Sequence, residues 1–327
     1  MYTLCTYFDK NYLVQGLTLY RSLVKQESKF TLWILCLDET SFDILTKLNL
    51  PSVNLLREQD LTEFDSRLLR AKSNRPLIQY YYCFTATIVN YVLHTDQQAE
   101  AVTYIDADMF AYTSLSQIIT QQPGKDVMII EHLHKTKEKN YHGKFNVSII
   151  YFKRSYNGLK CLNWWNDMTI VSTKLGDGVW GDQMYLDEFP KKFDGVHIIS
   201  DISIGAAPWN IEVHTISRKE NTVMLNGSSL KIFHFARFIM LNRSLFIPIK
   251  RAYLSRKTLI EIYMPYMMEM RKSYDIVKQI DKTYKLGYTL RNLRGALLGI
   301  IFGRCFVLFD KFLFRVGIHI PFGYEEH

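Results

Sequence analysis

The stretch AVTYIDADMFAY, residues 101–112, sets an apolar run directly against two acids, Asp106 and Asp108. The run reads as a strand, and side chains alternate along a strand, so positions i and i+2 face one side. Two carboxylates therefore converge where the strand ends. Such a pair repels itself unless a cation lies between them. Hard oxygen donors select Mg²⁺ or Mn²⁺, ions commonly held by one or two carboxylates together with substrate phosphates. A diphosphate is the substrate group this chemistry asks for. Asp-x-Asp also occurs as a plain turn or helix cap, so the motif gains weight only from its surroundings.

Working outward, residues 2–7 (YTLCTY), a helix over 13–24 and the buried strand FTLWILCL at 30–37 form a βαβ opening. A helix follows Thr40, a short strand covers 53–56, and a helix runs over 61–72. Ser73-Asn74-Arg75-Pro76 reads as a helix start, with polar capping candidates and proline in the first turn. It leads into LIQYYYCFTATIVNYVL, apolar nearly all round and hence buried. Strands at 127–130 and 147–152 precede the helix GLKCLNWWNDMTIV, a glycine-rich loop GDGVWGDQ and a short helix MYLDEF. Three small strands follow at 213–216, 222–225 and 230–233, with an Asn226-Gly227 turn. Alternating strands and helices predict an α/β fold, a mostly parallel doubly wound sheet that binds ligands at strand carboxyl ends. Asp106 and Asp108 stand at such an end.

The 327 residues are 48% hydrophobic, ample for a core, and the five cysteines are scattered with no C-x-x-C pair. That pattern excludes a disulfide framework or a zinc site and points to the cytosol. The start MYTLCTYFDKN carries no basic segment followed by an apolar one, so no secretory signal is expected, and Asn146, Asn226 and Asn242 are expected unglycosylated. The net charge of +8 is uneven: beyond residue 249 stand 14 Lys and Arg against 7 Asp and Glu. A nearly neutral body with a basic tail predicts an anionic surface as partner, and the apolar content of the tail favours a membrane over nucleic acid. The boundary is placed at Pro248, giving a catalytic domain at 1–248 and a basic amphipathic helical appendage at 249–327.

With these landmarks placed, the chain resembles bacterial glycosyltransferases of the GT-A type, a Rossmann-like fold, and more distantly glycogenin and the lipo-oligosaccharide galactosyltransferases of family 8. The motifs that carry the resemblance are YFDKNYL from Tyr7, NRPLIQYYYCFT from Asn74, VTYIDADMF from Val102 and GKFNVSIIYFKR from Gly143. CLNWWND from Cys161, GDQMYLDEFP from Gly181, APWN from Ala207 and His234-Phe235 complete the set.

The resemblance implies that Asp9 and Asn11 contact the base and ribose of a nucleotide-sugar, a UDP-sugar, and that Arg75 lies at its diphosphate. It implies that Asp106, Asp108 and His234 hold Mn²⁺ or Mg²⁺, that Asn146 faces the transferred sugar, and that Asp182 and Gln183 sit beneath the anomeric carbon. Read without it, Asp9 is a strand-end turn, Arg75 a surface arginine, His234 a core histidine and Asp182 an N-cap. The chain departs from the family 8 pattern after His234, where a glycine and then a lysine are expected; Arg237 and Met240 stand there, and Arg237 or Arg243 is left to supply the charge. Ser148 stands where relatives have glycine, which predicts a narrower pocket. His132, His134 and His142 fit no zinc spacing and read as an acceptor-side loop. Trp164-Trp165 and Tyr80-Tyr81-Tyr82 read as core, while Trp180 and Trp209 lie in loops where a ring can stack on a sugar.

The expected reaction is metal-assisted transfer of the sugar to a glycan or lipid-linked acceptor, with retention as in family 8, in surface polysaccharide synthesis. If the reaction instead inverts, Asp182 is the base. Two alternatives remain: a phosphatase of the haloacid dehalogenase class, whose motif wants Thr or Val where Phe110 stands, and a non-catalytic sugar-binding protein on the same fold. Residues 251–285 read as one or two charged helices interrupted at Pro265. The final segment, GALLGIIFGRCFVLFDKFLFRVGI, is broken by Arg304, Asp310, Lys311 and Arg315. It falls short of the ~20 uncharged residues of a membrane span. As a helix it would carry a basic seam opposite an apolar face, the design of an in-plane anchor on the inner membrane face. Gly295, Gly299 and Gly303 would let it pack on the body or in a homodimer instead.

Overall fold

The computed structural model describes residues 2–26, 29–116, 124–133, 143–173, 181–248 and 254–287, and the backbone of 305–309 and 312–316. The chain opens as β1 (Tyr2–Phe8), α1 (Leu13–Gln26) and β2 (Phe30–Cys36), followed by α2 (Glu39–Leu48) and β3 (Val53–Arg57). β1, β2 and β3 pair in parallel, as crossover helices require. Asp38 caps α2 by accepting from Ser41 N at 2.9 Å, and Asn49 closes it in the left-handed conformation.

The single helix expected over 61–72 is two, α3 (Glu58–Phe64) and α4 (Arg67–Ser73). Asp65 separates them, its carboxylate held by Arg67 Nε at 2.8 Å. Ser73 ends α4 instead of opening the next helix, and Pro76 takes the cap position of α5 (Leu77–Tyr81). α6 (Phe84–Thr95) follows and, as its composition predicts, is largely buried.

β4 (Ala101–Ile105) pairs in parallel with β1 and delivers the acids; β5 (Met109–Ala111) then leaves the sheet. β6 (Val127–Glu131) and β7 (Phe145–Lys153) follow, and β8 (Val196–Ile199) closes a seven-stranded sheet in the order β3-β2-β1-β4-β7-β6-β8. β7 runs antiparallel to both β4 and β6, while the other pairs are parallel. The helix Tyr156–Val171 lies between β7 and β8, capped by Ser155 through Gly158 N.

Each face of the sheet carries its own core. Leu4, Leu17, Leu32 and Ile105 meet the long C-terminal helix Met264–Ile280 through Tyr266, Met267 and Met270. On the other face Cys5, Leu35, Val102 and Phe152 meet α6 and Trp165 of the helix Tyr156–Val171. The C-terminal helix is fastened to α1 by Glu269, 3% exposed, which takes Arg21 Nε at 2.6 Å and Lys25 Nζ at 2.5 Å. Pro265 does not interrupt it. Helical backbone runs over 256–280, because a π-helical turn at Leu259–Tyr263 lies just ahead of the proline and the ring falls in the first turn of the helix that follows.

Beyond β8, β9 (Ile216–Lys219), β10 (Thr222–Leu225) and β11 (Ser228–Ser229) form a small antiparallel sheet. Its turn is the expected Asn226-Gly227, with φ of 49° and 85°. β12 (Ile232–His234) pairs antiparallel with β5.

The expectation of a helix over the final segment is corrected. β13 (Ile239–Met240), β14 (Leu245–Ile247), β15 (Cys305–Phe309) and β16 (Phe312–Val316) form one antiparallel sheet, with Phe309 opposite Phe312. CFVLF and FLFRV are rich in aromatic and branched residues that favour strands, and the edge of β14 supplies a partner that helix periodicity cannot reveal. Residues 288–304, which carry the glycine repeat, lie outside the described residues. No helix among the described residues is long and apolar enough to cross a membrane.

Candidate active site

The acids emerge where β4 ends. Asp106 N–H donates to Ser148 O on β7 at 2.9 Å and Asp106 O accepts from Met109 N at 3.2 Å, so a tight turn throws the chain out of the sheet. β5 then pairs with β12, in a register that sets Met109 opposite His234. Phe235 N–H donates to Asp108 O at 2.9 Å, and His234 N–H to Ala206 O at 2.9 Å. Residues 128 positions apart in sequence are thereby fixed by backbone bonds alone.

His234 Nε2 stands 3.2 Å from Asp108 Oδ1 and 3.9 Å from Asp106 Oδ2. One ligand atom from each of the three residues lies within 4.8 Å of the others. Tyr104 donates its hydroxyl to Asp106 Oδ1 at 2.7 Å. Burial and then the charge of Asp108 push Asp106 up to about 6, with His234 and Tyr104 opposing. Burial lowers the His234 pKa, but Asp108 and Asp106 outweigh it and leave the value raised. An Asp106 raised by burial and by the charge of Asp108, an imidazole facing both acids, and a His234 Nδ1 buried without a partner make a donor set suited to a hard divalent cation. These residues fit a divalent metal ion. The edge of Trp209 packs on the His234 ring at 5.5 Å, and its Nε1 donates to His132 O at 2.7 Å.

Asp182 is 3% exposed. It heads the 3-10 turn Gln183–Glu188 without a side-chain capping bond, and its Oδ2 is buried with no partner. Burial pushes it up to about 7; the charge of Asp106 adds to this, and a hydrogen bond with Thr85 opposes it. Gly181 must be glycine: its φ is +58°, and a Cβ would meet the Tyr82 ring at 2.6 Å. Gln183 Oε1 accepts from Val147 N at 3.2 Å, and Asn146 Oδ1 from Ser148 N at 2.8 Å. Asn146, Ser148, Trp209, His234 and Glu131 line a shallow recess. The Ser148 hydroxyl, fully enclosed, has no partner.

Asp9 and Asn11 lie on the loop between β1 and α1, where Asp9 accepts from Asn11 N at 2.9 Å and Nδ2 at 2.7 Å. Tyr12, 46% exposed, is close enough to Asp108 and Asp106 to feel their charge. Arg75 is engaged within the fold. Its guanidinium closes the end of the helix Tyr156–Val171, donating to Ile170 O at 2.7 Å, Thr169 O at 3.0 Å and Thr173 Oγ1 at 3.1 Å. Free carbonyls at a helix end attract a guanidinium, and the helix that offers them lies some ninety residues on, beyond the reach of a motif. Arg243 is likewise bound, to Asp275 at 2.6 and 2.7 Å.

Sequence reasoning missed Tyr12, Tyr82, Thr85 and Tyr104. Of these only Tyr104 left a signal, two residues before Asp106 on the same strand. Tyr80 is core as expected, but Tyr82 packs on Gly181. His132 is buried, its Nδ1 3.1 Å from Gly143 O. His134, His142 and Trp180 lie outside the described residues.

No protein-family model matches the chain. It is 31% identical over 246 residues to the uncharacterized protein YfnF of Bacillus subtilis strain 168, covering 72% of this chain and 80% of YfnF. YfnD of the same strain is 22% identical over 291 residues, 86% of this chain and 93% of YfnD. Among solved structures, the galactosyltransferase LgtC, crystallised with donor and acceptor sugar analogues, superposes with a TM-score of 0.50 at 12% identity. That match covers 90% of this chain and 99% of LgtC. Mouse xyloside xylosyltransferase 1 gives 0.47 at 14% identity over 72% of this chain and 98% of its own. The sheet order, the acids at the end of β4 and the match to YfnF agree: the chain belongs to the YfnF family and has the GT-A fold of nucleotide-sugar glycosyltransferases.

Proposed function

We propose that the chain is a metal-dependent glycosyltransferase that moves a sugar from a UDP-sugar to a glycan or lipid-linked acceptor with retention, in surface polysaccharide synthesis. The observation that carries the reading is the convergence of Asp106, Asp108 and His234 within 4.8 Å where β4 leaves the sheet. These three would hold Mn²⁺ or Mg²⁺, which when bound offsets the negative charge of a departing diphosphate.

The remaining work falls to the chain's own groups. Asp9 and Asn11 present a carboxylate and an amide to the base and ribose, and the exposed ring of Tyr12 offers a flat face beside them. Asn146 faces the hydroxyls of the sugar. Asp182, raised to about 7, holds or accepts a proton near neutrality at the face of the sugar that reacts, and Gln183 is fixed beside it by Val147 N. The burial of Asp182, 3% exposed, strengthens its contacts.

The basic, apolar tail beyond residue 285 supports a peripheral site on the inner membrane face. Replacing Arg291, Arg294, Arg304 and Arg315 by glutamine should then abolish flotation with anionic vesicles. A screen of nucleotide-sugars by thermal shift tests the donor: the true one raises the Tm only with Mn²⁺ present. Absence of any shift, or hydrolysis of a phosphate monoester instead, would overturn the reading. Binding without transfer to any acceptor would favour a non-catalytic role.

A further inference from the structure

We propose that Thr85 is a positioning residue for Asp182: its hydroxyl, backed by that of Tyr7, holds the carboxyl in one orientation at the site. The inference rests on the reading of Asp182 as the group that holds a proton beside the sugar, and it names what holds that group. Thr85 lies in the first turn of α6 and is 1% exposed. A buried threonine in a helix commonly bonds the carbonyl one turn back, as Thr87 does to Cys83 O at 2.9 Å. Thr85 is turned to the sheet instead. Its Oγ1 lies 3.2 Å from the Tyr7 hydroxyl on β1, and it hydrogen-bonds the Asp182 carboxyl.

The backbone of Asp182 is fixed independently of this bond. Trp165 Nε1 donates to Asp182 O at 3.0 Å, and the Tyr82 ring packs on Gly181. The side chain then turns only about χ1 and χ2, and Thr85 offers it a hydrogen-bond partner while Oδ2 has none. A hydroxyl both donates and accepts. Thr85 can donate to an ionised Asp182 while accepting from Tyr7, or reverse both bonds when Asp182 carries its proton. The pair therefore serves the carboxyl in either state, as a group that trades a proton requires. The other titratable groups that bear on Asp182 among the described residues are Tyr7, Tyr82, Cys83, Tyr104 and Asp106. Burial raises the three phenols, and the Cys83 thiol to about 11. Through pH 8 these four stay neutral, and of this group only Asp182 and Asp106 change charge.

Thermal unfolding of the ligand-free full chain from pH 5 to pH 8 tests the contact, on wild type, Thr85→Val, Thr85→Ser and Tyr7→Phe, each also in an Asp182→Asn background. The Thr85 bond favours the ionised carboxylate and opposes the burial that raises Asp182 to about 7. Thr85→Val should therefore raise that value further, and its Tm deficit should widen as pH climbs from 6 to 8. In the Asp182→Asn background the deficit should be constant, so any uniform loss from stranding the Tyr7 hydroxyl cancels. Thr85→Ser, which keeps the hydroxyl, should follow wild type. Tyr7→Phe removes only the backing; it should show the same signs at smaller size, and it carries the test should Thr85→Val not fold. A deficit independent of pH, or one that widens equally without Asp182, would overturn the proposal. Hydrolysis of UDP-glucose, UDP-galactose and UDP-N-acetylglucosamine in Mn²⁺ is the second arm. For any donor that wild type turns over, Thr85→Val should lower kcat by about tenfold with KM within about twofold, and Thr85→Ser should restore it. An unchanged kcat would overturn the role of Thr85. Wild type inert toward all three would count against the donor reading beneath it, a separate result, and the thermal comparison would then decide Thr85.

Discussion

Gly287 lies directly on Asn11: a Cβ at the glycine would stand 1.6 Å from Asn11 Oδ1 and 2.3 Å from its Cγ. The segment at 281–287 thus straps the loop that bears Asp9 and Asn11. Tyr284, 4% exposed, donates its hydroxyl to Lys10 O at 2.8 Å, and Lys278 Nζ donates to Tyr284 O at 3.0 Å. A tail expected at a membrane or packed on the body thus reaches the loop that bears Asp9 and Asn11.

Gly287→Ala should therefore displace Asn11 and weaken nucleotide binding by an order of ten, as a misfit of about 1–3 kcal/mol implies. Calorimetry with UDP reads it. Unchanged affinity would show that the strap swings clear and leaves the loop as it was.

Arg75→Ala should lower the Tm, since it frees the carbonyls at the end of the helix Tyr156–Val171, while the affinity for UDP stays within about twofold. The loss of charge-assisted bonds to a helix end is worth about 1–3 kcal/mol. A collapse of UDP binding with little change in Tm would return Arg75 to the diphosphate.

These contrasts mark what the sequence could carry. Asp106 and Asp108 are legible because strand alternation is local, and the βαβ opening because its hydrophobic periods are long and cleanly punctuated. His234 was reachable only through the resemblance, since its pairing with Asp108 depends on β5 leaving the main sheet. The bonds of Arg75 to the end of the helix Tyr156–Val171 were not legible because those partners lie far along the chain. CFVLF and FLFRV misled because an apolar run of that length suits either a helix or a strand, and the edge of β14 decides it. The contact between Gly287 and Asn11 has no local signature at all.

Glu269→Gln should destabilise the fold. Removing a nearly buried carboxylate between Arg21 and Lys25 costs up to the ~3–5 kcal/mol of a broken buried pair, less here because Lys25 is half exposed. Burial raises the Glu269 pKa, but the bonds from Lys25 and Arg21 more than reverse it, so the folded value lies below the ordinary one. Its contribution is complete above the unfolded pKa and is lost as pH falls through the folded value. Urea unfolding from pH 7 to pH 3 should show the gap between wild type and Glu269→Gln closing on the acid side; a constant gap would mean the charge is immaterial.

Asp182→Asn should cut sugar transfer by ~100-fold or more yet stabilise the ligand-free protein at high pH. Burial raises the folded pKa of Asp182 to about 7, so the wild type loses stability as pH climbs from the ordinary carboxylate value toward 7. The Tm advantage of the variant should grow between pH 5 and pH 8. A pH-independent difference would contradict the buried, protonated state.

Manganese titration followed by electron paramagnetic resonance, on wild type and on the Asp106→Asn, Asp108→Asn double variant with and without UDP, bears most directly on the central claim. The account predicts one Mn²⁺ per chain in wild type, tightened by UDP, and neither the bound ion nor the UDP effect in the variant. Retention of both in the variant, or UDP binding indifferent to the metal in wild type, would contradict it.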